Sequence, residues 1–303
     1  MNFYFAGASG LGLKLLDRSV TDRRFPCCFL ASFADRVWVD RYLERPHVRL
    51  FLDSGAFSVK SRAARIQLDD YIRFVLARQN RLELIAALDV IPESDSRDSV
   101  VRAAETSLIN YNKMLNAGVL ADKLLPCYHY AEPESFLVDI MKVADYIALG
   151  GVARRSDGER TPWLSRVLRL LYDRGLRSHG FGVSSFRLMK AFGWTSLDST
   201  AWLSTMRYDA LLIPEAGDYL RPPIVFPITD RSPALKSGRE HLITVGYFVK
   251  EVVREYVENL GFSVDEAKEH GAVRQMINAV FYKRFAEEKI SGPGRISPRG
   301  FLL

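Results

Sequence analysis

What most constrains this chain is a repeated pattern: a short apolar run that stops at an aspartate or a glycine, followed by a stretch with helical periodicity. Leu50-Phe51-Leu52-Asp53, with Gly55 just beyond, sets it. Leu84 to Asp89 repeats it, and Tyr146 to Gly151 repeats it with glycines in place of the acid. Unbroken apolar runs of this length suit strands buried on both faces, as in parallel sheets, and an acid that ends one is delivered to the lip of the sheet. For Asp53 taken alone, the commoner fate is to be the N-cap of the next helix. The recurrence along the chain shifts the balance towards a shared role.

Taken in order, eight segments carry the pattern. They are residues 2–6, 27–33, 50–53, 84–89, 124–130, 146–151, 179–184 and 195–202. Between them lie helical stretches, among them Tyr71, Phe74, Val75 and Arg78 on one face, a long run from Ser99 to Asn116 stopped by Gly118, and Trp163 to Tyr172 closed by Gly175. Eight strands alternating with helices predict a (β/α)8 TIM-like barrel over residues 1–205. An open doubly wound sheet would need a switch point where the strand order reverses, and none is marked. The glycines Gly7, Gly10 and Gly12 invite a dinucleotide-binding interpretation, but their spacing is wrong for it.

Residues 206–303 form a second region, a helical extension predicted to pack on the barrel. Prolines 214, 222, 223, 227 and 233 make residues 203–235 an irregular connection. Helices are expected within Glu240 to Leu260 and Val264 to Lys289, serving packing or oligomerisation, followed by a basic tail.

Composition excludes several classes. Of 303 residues, 48% are hydrophobic and 26% charged, with no apolar run near the roughly 20 residues of a membrane span. The first residues carry no basic leader, so a cytoplasmic protein without a membrane partner is expected. The three cysteines, Cys27, Cys28 and Cys127, offer neither an even disulfide framework nor a Cys-x-x-Cys spacing, so no metal and no zinc subdomain are expected. A net charge of +6 permits a polyanionic partner. Several cations follow the predicted strands: Arg62, Arg65, Arg154, Arg155, Arg187, Lys190 and Arg207. On one face they would bind phosphates without reading sequence.

A barrel brings the C-terminal ends of its strands to one mouth, where Asp53, Asp89, Gly150, Gly151 and Asp198 would meet. Three carboxylates there repel one another unless a ligand, a metal or a hydrogen-bond network uses them. His129 ends the fifth run. His47, His179, His241 and His270 are expected to be surface or packing residues.

The ordered set Asp53-Ser54-Gly55-Ala56-Phe57, Ala87-Leu88-Asp89, Ala148-Leu149-Gly150-Gly151, Gly180-Phe181-Gly182-Val183 and Leu197-Asp198 resembles the tRNA-guanine transglycosylase family over residues 1–205. The resemblance implies that Asp198 is the nucleophile, forming a glycosyl ester after guanine leaves, and that Asp53 is the acid/base. It implies that Asp89 reads the guanine edge, that Gly150 and Gly151 offer backbone groups to the base, and that Phe57 stacks on it. Ser54, Gly55 and His129 would line the same pocket. No cofactor is implied.

The chain also departs from that family. The tRNA enzymes carry a Cys-x-Cys-x-x-Cys plus His zinc module after the eighth strand, whereas no cysteine follows Asp198 here. Ser58 replaces the Gln of the first motif, and Cys127-Tyr128-His129-Tyr130 replaces a Gln-Gly region. These differences favour the branch that inserts a 7-deazaguanine, such as 7-cyano-7-deazaguanine, into DNA, with tRNA as the alternative substrate and a homodimer or helper proteins left open. A target base in duplex DNA would have to leave its stack. Two rivals stand beside this: a non-catalytic nucleic-acid-binding barrel, and a metal-dependent barrel hydrolase or lyase using Asp53, Asp89 and His129.

Overall fold

The computed structural model describes residues 1–7, 9–56, 66–152, 155–236 and 240–291. Among the described residues the chain divides into two compact units, one holding residues 1–13 and 27–199, the other 14–26 and 200–291.

The first unit is an α/β barrel of the TIM type. Its nine parallel strands are β1 (Asn2–Phe5), β2 (Cys28–Ser32), β3 (Arg49–Asp53), β4 (Leu84–Ala86), β5 (Leu124–Leu125), β6 (Cys127–His129), β7 (Tyr146–Gly150), β8 (Arg177–Gly180) and β9 (Ser196–Ser199), in the spatial order β5-β4-β3-β2-β1-β9-β8-β7-β6. Nine strands arise from eight runs because Pro126 divides the fifth. A proline has no N–H to give the ladder, yet its neighbours keep pairing: Ala87 N–H donates to the Leu125 carbonyl at 2.8 Å and Ala148 N–H to that of Pro126 at 2.9 Å. One half of the run thus pairs with β4 and the other with β7, and the barrel is nearly closed.

Helices alternate with these strands: α1 (Ser9–Ser19), α2 (Arg36–Leu43), α3 (Leu68–Leu76), α4 (Arg97–Asn116), α5 (Glu134–Val143), α6 (Asp157–Asp173) and α7 (Phe186–Ala191). Helix α6 starts six residues earlier than the apolar periodicity suggested. The reason is a capping box, in which Ser156 Oγ accepts from Glu159 N–H at 3.3 Å while the Glu159 carboxylate accepts from Ser156 N–H at 2.8 Å.

The barrel interior follows the two-residue period of its strands. Tyr4, Phe51, the pairs Leu84 and Ala86, Leu125 and Cys127, Tyr146 and Ala148, and the partly buried Cys28, Leu30 and Phe181 form one core cluster. Side chains two apart share a face, so the next inward positions towards the strand ends include Asp53 above Phe51, His129 above Cys127 and Gly150 above Ala148. The fold therefore fills most of its middle with apolar groups and gathers its inward-facing carboxylates at the mouth.

In the second unit, the stretch expected to be irregular contains an antiparallel hairpin, β10 (Ala210–Ile213) with β11 (Ile224–Pro227). The prolines permit it because Pro222 and Pro223 lie before β11 and Pro227 is its last residue, where a missing N–H costs little. The Val264 to Lys289 stretch is two helices, α9 (Val264–Glu269) and α10 (Gly271–Ser291), separated by His270 in an extended conformation; they follow α8 (Tyr247–Asn259). The Arg18 guanidinium lies 4.0 Å from the Phe262 ring centroid and donates to the carbonyls of Leu260 and Gly261, tying the Lys14–Pro26 segment into this unit. No helix among the described residues is long and apolar enough to cross a membrane.

Candidate active site

At the C-terminal ends of the strands, three aspartates come close enough for their charges to matter to one another. Asp53, the last residue of β3, is pushed up to about 7, first by burial and then by the charges of Asp89 and Asp198. Its Oδ2 accepts from Gly55 N–H at 3.1 Å, a tight turn in which Gly55 has a φ of +82° and a Cβ would come within 2.8 Å of Ser32 Oγ. The bond makes an Asx turn at the end of the strand. That bond favours the carboxylate, and burial with two like charges outweighs it.

Asp89, beyond β4, behaves in the opposite way. Its Oδ1 accepts from Ser54 Oγ at 2.8 Å and its Oδ2 faces His129 Nε2 at 2.9 Å. Burial works against its charge, but the His129 and Ser54 hydrogen bonds prevail and hold it below the usual carboxylate range. His129, at the end of β6, has a carboxylate on each ring nitrogen: Nδ1 lies 2.8 Å from Glu132 Oε1, and the His129 backbone N–H donates to the other Glu132 oxygen at 3.0 Å. Burial disfavours its positive charge, but the Cys127 sulfur and the hydrogen bonds to Asp89 and Glu132 reverse this and hold the imidazolium well above the ordinary histidine range. Burial pushes the Cys127 thiol up to about 11, so it stays protonated at neutral pH.

Gly150 makes this arrangement possible. A Cβ there would lie 2.8 Å from His129 Cδ2 and 2.9 Å from Cys127 Sγ, and its carbonyl accepts from Tyr130 N–H at 3.1 Å. Gly151 (φ +75°) brings the chain equally close to Tyr130, where a Cβ would lie 3.0 Å from its backbone nitrogen. In this structure the two glycines make room for the fifth run.

Asp198, in β9 and 6% exposed, is held from the neighbouring strand. Its Oδ1 lies 3.2 Å from His179 Nε2 and accepts from Gly182 N–H at 3.1 Å. His179 is fully buried as expected of a packing residue, but it also contacts the proposed nucleophile, a link the sequence analysis missed. Glu132, Ser196 and Phe181 were missed as well. A cue existed in the two-residue period, which puts Ser196 and Asp198 on one face; that His179 lies opposite Ser196 is a matter of strand register, which the sequence does not carry.

The predicted nucleic-acid-binding cations are less concentrated. Arg155 stacks on the Tyr130 ring at 4.4 Å and lies 3.7 Å from both Asp95 and Glu159. Arg187 is exposed beside Asp157, and Lys190 is exposed on α7. Phe57, Arg62, Arg65 and Arg154 lie outside the described residues, as does the side chain of Arg207.

No protein-family model matches this sequence, and no curated protein matches it.

Proposed function

We propose that the barrel is a guanine transglycosylase, a pentosyltransferase that exchanges guanine in nucleic acid for a 7-deazaguanine such as 7-cyano-7-deazaguanine. The observation that carries this is the division of labour among the carboxylates. Asp53 is poised near neutral pH to give and take a proton, while Asp198, among the described residues, is hydrogen-bonded through one oxygen only.

In the proposed reaction the Asp198 carboxylate attacks the anomeric carbon and the glycosidic bond to guanine N9 breaks. Asp53 protonates the departing base, leaving a glycosyl ester. Asp53 then accepts the proton of the incoming base, whose nitrogen attacks the same carbon and releases Asp198. Asp89 accepts hydrogen bonds from the ring N–H and amino group of the base, and His129, whose two ring nitrogens are engaged by Asp89 and Glu132, holds that carboxylate in place. DNA is favoured over tRNA because no cysteine follows Asp198 to build a zinc module.

The test is exchange of labelled guanine into DNA and tRNA by the wild type, Asp53→Ala and Asp198→Ala, with the covalent adduct sought on denaturing gels. Both variants are expected to lose exchange by about a thousandfold or more. Exchange at the wild-type rate by Asp198→Ala would remove the mechanism. Binding of DNA without exchange by the wild type would instead favour a nucleic-acid-binding barrel.

One observation favours a second reading, a metal-dependent hydrolase or lyase. Asp89, Cys127 and His129 present ligand atoms within 4.8 Å of one another, and the Glu132 carboxylate on His129 Nδ1 resembles the outer-shell support of a metal-bound imidazole. Metal analysis of the purified protein, with activity measured before and after chelation, separates the two.

A further inference from the structure

The polar chain behind Asp198 runs in one direction. A carboxylate can only accept, so His179 Nε2 must carry the proton that bridges to Asp198 Oδ1 at 3.2 Å. In a neutral imidazole this leaves a lone pair on Nδ1, and the group facing it is Ser196 Oγ at 2.6 Å, which must then donate. With its proton used, Ser196 accepts from the Tyr146 hydroxyl, also at 2.6 Å. The neutrality of His179 follows from its setting: it is fully buried with the Tyr4, Phe51 and Phe181 rings at 6.1, 4.7 and 4.7 Å, and burial lowers its basicity against the pull of Asp198. Gly182 N–H supplies a second donor to the same carboxylate oxygen. Among the described residues Asp198 Oδ2 has no hydrogen-bond partner.

We propose that His179 is the positioning residue of Asp198, fixed in its Nε2–H tautomer by Ser196 and Tyr146, so that Oδ1 is anchored and Oδ2 is the oxygen that bonds to the sugar. This rests on the transglycosylase reading for the identity of the bond formed, but not for the hydrogen-bond relay itself. The relay removes the carboxylate's freedom to rotate, and an error of about 1 Å in a reacting group can cost on the order of a hundredfold in rate.

Two measurements test it. Nitrogen-15 NMR of the histidine-labelled wild-type protein should show His179 as a single neutral Nε2–H tautomer at neutral pH, and Ser196→Ala should mix the tautomers. An Nδ1–H tautomer in the wild type would overturn the relay without any activity being measured. In the guanine-exchange assay, His179→Leu should lower kcat by about a hundredfold with KM for guanine unchanged. His179→Gln, whose amide can still donate to Asp198, should recover most of the loss. Equal losses in the two variants would assign His179 to packing alone and overturn its positioning role. If the wild type shows no exchange at all, the proposed activity fails while the tautomer measurement still decides the relay.

Discussion

The two ends of the barrel treat charge in opposite ways. At the N-terminal end, beside the starts of β3 and β4, Arg49 Nε lies 3.0 Å from each oxygen of Glu83, and at the starts of β7 and β8, Arg177 meets Asp145 at 3.0 Å. Each acid there has its own guanidinium. At the mouth, Asp89 and Glu132 share His129, Asp198 faces His179, and Asp53 has, among the described residues, only the neutral donors of Gly55 and Ser32; of the two histidines only His129 is held charged. One end has settled its electrostatics in pairs. The other retains excess negative charge, which adds to burial in raising Asp53 and, in the proposed reaction, would favour a cationic transition state.

The largest effect expected from disturbing this contrast comes from Gly150→Ala. The new methyl displaces His129 and leaves Asp89 and Glu132 without their shared cation, which should cost roughly 3 kcal/mol in urea denaturation. A near-neutral result would mean that His129 has another place to go.

Asp53→Asn comes next, with the opposite sign. Because its folded value is raised to about 7, wild-type Asp53 favours the folded state most below its unfolded value near 4, and this contribution is lost as pH rises through 7. The variant avoids that loss. It should unfold about 1–3 kcal/mol harder than the wild type at pH 8, the gain fading towards pH 4, while exchange is lost.

At the opposite end, Arg49→Met should lower stability by only about 1 kcal/mol, since the pair is partly exposed, and should leave kcat unchanged. A fall in kcat would show that the two ends are coupled. The smallest effect belongs to Tyr4→Phe. The Tyr4 hydroxyl is buried and has no hydrogen-bond partner among the described residues, so its removal should stabilise the protein by up to about 1 kcal/mol in a thermal melt.

Most of the barrel could be read from the chain because strands buried on both faces are written as continuous apolar runs; Phe51, Leu52, Ile147, Ala148 and Leu149 are all fully buried. The strand-end acids could be read for the same reason, as the points where those runs stop. The relay through His179 could not, because it depends on which residue of the next strand lies alongside, and register is a property of pairs of strands. Nor could the reason for Gly150, whose role is to leave space for a ring from another strand. The β10–β11 hairpin was hidden by prolines, which signal irregularity in general but lie here at positions where a strand tolerates them.

Asn278 of α10 bears on how that hairpin ends. Its Oδ1 accepts from Leu212 N–H at 2.7 Å and its Nδ2 donates to the Ala210 carbonyl at 3.2 Å. A single side-chain amide thus imitates the peptide of an adjoining strand along the side of β10 that α10 covers. By occupying the groups that a foreign chain would use to extend the ribbon, one residue acts as a stopper against self-templated stacking, a role normally left to charged or bulged borders.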